Sequence, residues 1–104
     1  MAQFDVYRNT APSKSRVPYL LDVQADLLGV LATRVVIPLV KRAAVGDRVI
    51  RHLHVEVVVK GQRLIAVTSE LAGIATKSLG ARVGSLAGMR SEIVRALDVI
   101  TSGV

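Results

Sequence analysis

The sequence predicts a mainly β fold of the α+β class, in which a mostly antiparallel sheet of about five strands is closed by one C-terminal helix. The clearest observation is a hairpin pattern: residues 55–59 and 62–68 are rich in β-branched side chains and flank a tight turn at Lys60 and Gly61. Aromatic residues are only 3% of a chain whose hydrophobic content is 51%, so Val, Leu, Ile and Ala must form the core. An apolar stripe of helical period near the C-terminus supplies the closing helix.

The first strand is predicted at residues 3–7, where polar and apolar side chains alternate and place Phe4 and Val6 on one face. Residues 8–18 contain Asn, Thr, Ser and Pro together with three basic residues, a composition typical of an exposed loop. The apolar run at residues 19–24 predicts the second strand.

The third strand is predicted at residues 34–39, and Pro38 belongs near a strand end or edge because it has no N–H to donate to a ladder. Residues 41–51 are mixed in character and carry a turn signal at Gly46 and Asp47. Residues 71–88 are rich in Gly and small side chains and are interpreted as loops with short turns.

The C-terminal helix has a start at Ser91 and Glu92 and a stop at Gly103. Its apolar residues recur at three- and four-residue spacings, as one helical face requires. The stripe consists of Met89, Ile93, Leu97 and Ile100. This stripe exceeds what one small sheet covers, so part of it is expected to pack on a second copy of the chain in a homodimer.

Composition narrows the class of protein. A chain of 104 residues predicts a single domain, residues 1–104, and the absence of Cys excludes disulfides and thiolate metal sites. No signal peptide or membrane-spanning run is recognised, which predicts a cytoplasmic protein that does not enter the membrane. The basic residues are scattered, so the net charge of +6 is consistent with a merely solvated basic surface or with an acidic partner, either nucleic acid or a protein with an acidic segment.

Residue types that could support metal binding or catalysis occur without a decisive pattern. His52 and His54 share a face of a strand, but zinc requires at least a third ligand, and only Glu56 lies close in sequence. Thr68 and Ser69 could act as nucleophiles only beside a positioned base, which the sequence does not reveal. No metal site, cofactor or catalytic residue is therefore predicted.

Asp22 and Gln24 interrupt an apolar run two residues apart, so in a strand both side chains point to the same face. Because unpaired polar groups are costly to bury, the pair predicts a fixed hydrogen-bonding or recognition role. Arg34 and Arg63 lie in strands among apolar neighbours, and they either contact a phosphate or remain solvated on the sheet surface.

The tripeptide DVQ at residues 22–24, the pair Leu27 and Leu28, and RVVIPL at residues 34–39 resemble the CcdB-type toxins of toxin–antitoxin modules. QFDVY at residues 3–7 is similar to the first strand of that family, and the terminal Gly and Val to its small apolar end. The resemblance covers nearly the whole chain. It implies an SH3-like small barrel, a fold shared with MazF-type endoribonucleases.

The resemblance also implies partners and a mechanism. It implies a homodimer, a cognate antitoxin with an acidic disordered C-terminal tail, and DNA gyrase as target. Proteins of this family are not enzymes: they bind the gyrase A subunit and trap the enzyme with its DNA cleaved. No direct, sequence-specific contact with nucleic acid and no cofactor are implied.

The resemblance implies a gyrase-binding patch formed after the DVQ strand and at the end of the helix. The positions that match this patch are Leu27, Leu28, Asp98, Thr101, Ser102, Gly103 and Val104. The family has a Phe-Trp pair where this chain has Thr101 and Ser102, and an asparagine where it has Asp98. Since buried aromatic anchors carry much of an interface's energy, gyrase binding is expected to be weak in this chain.

Two other functions remain open. One is a diverged protein that still binds an antitoxin but has lost or changed its target. The other is a MazF-like endoribonuclease, which the basic charge favours and the scarcity of aromatic residues opposes. RNA cleavage by the purified protein would single out the second.

Overall fold

The structure is a computed structural model, and it describes residues 2–26, 31–46 and 53–103. In this part of the chain, seven strands and two helices occur in the order β1, β2, β3, α1, β4, β5, β6, β7, α2, with short 3-10 turns between several of them. Their bounds are β1 Asp5–Asn9, β2 Tyr19–Asp22, β3 Thr33–Lys41, α1 Arg42–Val45, β4 His54–Val59, β5 Gln62–Val67, β6 Ala72–Ala75, β7 Leu79–Ser85 and α2 Arg90–Ser102.

The described strands form one antiparallel sheet, curled into a half-barrel, with the order β4-β5-β3-β2-β1-β7. The remaining strand, β6, pairs with the first half of β3, whose second half pairs with β5 on the same side. The mainly β class with a C-terminal helix is thus confirmed, with two more strands than the sequence predicted.

The central strands β2, β3 and β5 are buried on both faces, which explains why they are almost continuously apolar. One face carries Leu21, Ile37 and Leu39 and packs with Ile93 and Ala96 of α2. The opposite face is covered in part by Val17 and α1, and its core residues are Val17, Leu20, Val36, Val40, Val45, Ile65 and Val67. Each fully buried aliphatic side chain contributes about 1.5–3 kcal/mol relative to an exposed one.

The hairpin of β4 and β5 is confirmed, with Val59 opposite Gln62. Lys60 and Gly61 both have positive φ, 51° and 76°, which is the conformation of a type I′ turn. This turn is favoured because its twist matches that of the flanking strands.

The prediction of loops at residues 71–88 is wrong, because β6 and β7 lie there. One of their small residues serves a close approach between backbones instead of a turn. At Gly80, in β7, a Cβ atom would lie 2.8 Å from the carbonyl oxygen of Arg8 and 2.9 Å from its Cβ. Register shifts along the pairing with β1 also break the alternation by which a strand is recognised in sequence.

Pro38 lies inside β3 and not at its end or at a free edge, contrary to expectation. The carbonyl of Val35 points toward β2, where it accepts from the N–H of Val23. Since backbone groups alternate sides along a strand, the nitrogen of Pro38 points the other way, where β3 changes its neighbour from β6 to β5. A missing N–H leaves no ladder bond unmade at that point.

The first two strands and their loop also differ from the prediction. Strand β1 begins at Asp5, because Phe4 adopts a left-handed φ of 72°, and it continues to Asn9. Strand β2 ends at Asp22, so Gln24 lies just beyond it. The loop between the strands contains a 3-10 turn at Pro12–Ser15.

Helix α2 ends as predicted. Gly103 has φ 77° and ψ 13°, and its N–H donates to the carbonyl of Val99 at 3.0 Å. This left-handed cap favours glycine because a Cβ atom makes the conformation costly. No helix in the described residues is both long and apolar enough to span a membrane.

Candidate functional site

Asp22 and Gln24, the polar pair at the end of β2, are hydrogen-bonded to a buried arginine, Arg34. Asp22 has no exposed surface, and Arg34 is only 1% exposed. One carboxylate oxygen of Asp22, Oδ2, accepts from Arg34 Nε at 2.8 Å and Nη2 at 2.6 Å. The second oxygen, Oδ1, accepts from the N–H of Gln24 at 3.0 Å. Asp22 is therefore held by hydrogen bonds within a buried ion pair.

Gln24 extends the pairing between β2 and β3 past the end of β2. Its side-chain oxygen accepts from the N–H of Val35 at 3.1 Å, while its backbone carbonyl faces Arg34 Nη2 at 3.5 Å. The side chain thus takes the place of a backbone acceptor where the strand stops.

Arg34 and Arg63, each expected to contact a phosphate or to remain solvated, lie in different environments. Arg34 is neither solvated nor placed to meet a phosphate, because its guanidinium is buried against Asp22. Arg63 is exposed on β5, as a solvated side chain would be. Within the described residues, Nη1 of Arg34 is buried without a hydrogen-bond acceptor.

Tyr7 and Asp5 of β1 lie next to this ion pair. The Tyr7 hydroxyl donates to Asp5 Oδ2 at 3.4 Å, and Asp5 Oδ1 pairs with Arg82 Nε at 3.1 Å. Burial raises the pKa of the Tyr7 phenol above 10.0, and the negative charges of Asp5 and Asp22 raise it further, against a smaller opposing effect of Arg34.

A titration of Tyr7 tests this environment. The chain has two tyrosines, so Tyr19→Phe leaves Tyr7 as the single one. The midpoint of its tyrosinate absorbance, which reports the pKa, should lie above pH 10.0. Because the unfolded chain then releases this proton first, the unfolding free energy should fall as pH rises above 10.0 and through the folded-state pKa. Tyr7→Phe should remove that part of the alkaline loss. Ionisation of Tyr7 at or below its ordinary value would contradict the predicted shift.

The end of α2 holds the described part of the predicted gyrase-binding patch. Asp98, Thr101, Ser102 and Gly103 are all exposed. The hydroxyl of Thr101 donates to the carbonyl of Leu97 at 3.1 Å, and that of Ser102 donates to the carbonyl of Asp98 at 2.6 Å. Both hydroxyls are therefore bonded to carbonyls of their own helix, and neither side chain is an aromatic anchor.

Leu27, Leu28 and Val104 lie outside the described residues, so the structure brings together only the helix-end members of the patch. Along α2 and the turn before it, Ile93 is fully buried and Met89 and Leu97 pack partly into the core. Val99 and Ile100 are half-buried outside the two core clusters. The apolar stripe is thus only partly covered by the barrel itself.

The structure also describes some of the residues considered as nucleophiles or metal ligands. Thr68 is fully buried and its hydroxyl donates to the carbonyl of Leu53, so it is not available as a nucleophile. His52 lies outside the described residues. In the described part, no group of three His, Cys, Asp or Glu side chains is placed to hold a metal ion.

A groove of about 260 Å³ between β4 and α2 brings ionisable side chains of the strand close to those of the helix. It is lined by His54, Val55, Glu56, Met89, Glu92 and Arg95. The His54 and Glu56 pair was visible in the sequence, but their proximity to α2 depends on how the helix packs across β4.

Comparison with known proteins agrees with this architecture. The model of the family described as CcdB protein matches residues 3–103. An endoribonuclease in complex with its cognate antitoxin, from a mycobacterial species, is 16% identical, with a TM-score of 0.75 over 97% of this chain and 94% of that one. A second mycobacterial endoribonuclease is also 16% identical, with a TM-score of 0.73 over 97% of this chain and 90% of that one. At this identity the likeness to both structures is one of fold. Since the family model spans almost the entire sequence, the chain belongs to the CcdB family.

Proposed function

We propose that this protein is the toxin of a type II toxin–antitoxin module, that it binds the A subunit of DNA gyrase and traps the cleaved DNA complex, and that it is not an enzyme. The observation that carries this proposal is membership of the CcdB family over residues 3–103. The exposed end of α2, capped at Gly103, supports it, because an accessible helix end is a suitable docking element.

The proposed toxin acts as a homodimer. Val99 and Ile100 remain half-buried beyond the core of one barrel, and a second copy that packs against them would remove this apolar surface from water. Such a dimer would present two helix ends together, which suits a target that is itself a dimer.

The proposed antitoxin carries an acidic, disordered C-terminal tail. The net charge of +6 supports such a partner, and one structural neighbour is described in complex with its own antitoxin. A disordered tail loses conformational entropy when it binds, so opposite charge and apolar anchors must offset that cost.

Induced expression in a gyrase-sensitive bacterium tests the proposal. Growth should stop on induction, covalently trapped and cleaved DNA should accumulate, and co-expression of the antitoxin should restore growth. Growth arrest without trapped DNA would reject gyrase as the target. Normal growth with retained antitoxin binding would favour the diverged protein that has lost its target.

A second candidate function is endoribonuclease activity, and the groove between β4 and α2 is the observation that favours it. RNA can be cleaved by attack of its own 2′-hydroxyl on the adjacent phosphate. A carboxylate base, a histidine acid and a cationic side chain are groups that catalyse this reaction together. The groove contains Glu92, His54 and Arg95. Cleavage of RNA by the purified protein, lost in Glu92→Gln, would establish this function in place of gyrase poisoning.

A further inference from the structure

A hollow of about 470 Å³ lies between the loop that follows β1 and the outer strand β7. It is lined by Arg8, Asn9, Thr10, Lys14, Pro18, Gly80 and Ala81. Two of these side chains are cationic and none is acidic. Neither Arg8 nor Lys14 forms an ion pair within the part of the chain that the structure describes. The neighbouring Arg82 differs, because Asp5 already pairs with its guanidinium at 3.1 Å.

The backbone that carries these two cations is held in place by Asn9, which is only 8% exposed. Its amide nitrogen donates to Ser13 Oγ at 3.1 Å and to the carbonyl of Val17 at 2.8 Å. Its amide oxygen accepts from the N–H of Ala11 at 3.0 Å. A single buried side chain thus spans the loop and fixes the turn on which Lys14 lies.

The other wall of the hollow is fixed to the same loop. Thr10 Oγ1 donates to the carbonyl of Ser78 at 2.8 Å, immediately before β7. Gly80 lies so close to Arg8 that a Cβ atom could not fit between them. The two cations are therefore attached to a preorganised backbone, which lowers the ordering cost of binding an anion.

The lining of the hollow distinguishes between two kinds of polyanion. A flexible acidic peptide needs apolar anchors to offset the entropy it loses on binding, and this hollow offers only Pro18 and Ala81. A nucleic-acid backbone carries one phosphate per nucleotide, and neutralising these phosphates releases condensed counterions, which drives binding without apolar contact.

We propose that the hollow lined by Arg8 and Lys14 binds the phosphodiester backbone of nucleic acid independently of base sequence. The inference does not depend on the proposed toxin activity. Bases do not stack there, because the hollow contains no aromatic side chain, and the amide of Asn9, which could otherwise read a base edge, is already hydrogen-bonded within the loop. The shared chemistry is the phosphodiester, and DNA and RNA are its two sources.

Fluorescence anisotropy with the full chain tests the proposal. The probes are a labelled DNA duplex and a single-stranded RNA of the same length, each in two unrelated sequences and over a series of salt concentrations. Wild type should bind at least one of them with little sequence preference, and its affinity should fall steeply with salt. Arg8→Gln with Lys14→Gln should lower the salt slope by about 2, roughly one for each phosphate that the variant no longer neutralises.

The matched control is Lys60→Gln with Arg63→Gln, two exposed positions on the β4–β5 hairpin at the opposite edge of the sheet. Both double variants have a net charge of +6 − 2 = +4, so they differ only in where charge is removed. The control should keep the wild-type slope, and thermal unfolding should show that both variants fold.

Three results would overturn the proposal. The first is absence of binding to both probes at low salt, and the second is an equal loss in the two variants, which would indicate net charge alone. The third comes from a parallel titration with labelled polyglutamate. If the Arg8 and Lys14 variant loses polyglutamate binding while its nucleic-acid binding is unchanged, the hollow belongs to an acidic peptide. Binding of DNA, RNA or both, weakened only in that variant, supports the phosphodiester site and identifies its source.

Discussion

Asp22→Asn should lower the free energy of unfolding by about 3–5 kcal/mol, the range expected when one member of a buried ion pair is removed. The variant keeps the shape of the side chain but leaves the charge of Arg34 uncompensated, in a site where that residue is only 1% exposed. The loss is a large fraction of the total stability of a small domain. Equilibrium unfolding in urea measures it, with the exposed Glu56→Gln as a control that should change stability by less than about 0.5 kcal/mol.

The double variant Asp22→Leu with Arg34→Met separates the worth of the pair from the cost of breaking it. Replacing both charges by apolar side chains removes the desolvation penalty but also removes the Asp22 oxygen that accepts from the buried N–H of Gln24, so this protein should be more stable than Asp22→Asn and about 1–3 kcal/mol less stable than wild type. It also keeps the test decisive if Asp22→Asn does not fold at all. The account fails if Asp22→Asn matches Glu56→Gln, or if the double variant is no more stable than the single one.

A buried ion pair that adds little net stability can still define geometry. Asp22, Gln24 and Arg34 connect the end of β2 to the start of β3, and every bond among them depends on the register of these two strands. Leu27 and Leu28, predicted to contact gyrase, follow Gln24 closely in the sequence. The ion pair therefore fixes the position at which the chain leaves the sheet after Asp22.

The sequence indicated this cluster only in part, for a physical reason. Asp22 and Gln24 stand out because local alternation places them on one face of an apolar run. Arg34 also interrupts an apolar run, but a single sequence does not show which strands pair. The arginine was therefore assigned either to contact with a phosphate or to the solvated surface of the sheet. What decides its role is the antiparallel pairing of β2 with β3: Asp22 lies opposite Val36, so Arg34, two residues before Val36, is on the same face of β3 and reaches the Asp22 carboxylate diagonally.

The same distinction between local and long-range signals explains the fold. The β4–β5 hairpin and the stop of α2 at Gly103 are encoded by residues adjacent in sequence, and both were predicted correctly. Strands β6 and β7 were missed because their identity as strands comes from pairing with β3 and β1. Gly80 illustrates the difficulty: it suggests a loop by composition, but it is required for close approach to Arg8.

The second large effect is expected at the end of α2, where Ser102→Trp should strengthen binding to the gyrase A subunit by at least ~1–2 kcal/mol, the lower range for a buried aromatic anchor. Ser102 is exposed and its hydroxyl contacts only the carbonyl of Asp98 at 2.6 Å, so the larger side chain meets no core residue of the same chain. Thr101→Phe in addition should strengthen binding further. Titration of the gyrase A cleavage domain against each variant measures the change.

The matched control places the same side chain at the other end of the helix. Ser91 is exposed in the first turn of α2, so Ser91→Trp adds an equal apolar surface far from the capped end and should leave gyrase binding unchanged. Deletion of Gly103 and Val104 should abolish binding, because it removes both the left-handed cap and the terminal residues of the predicted patch. Equal strengthening by both tryptophans would indicate nonspecific adhesion. Strong wild-type binding that Ser102→Trp leaves unchanged would show that the protein contacts gyrase through another surface, and Leu27 and Leu28 would then be the first residues to replace.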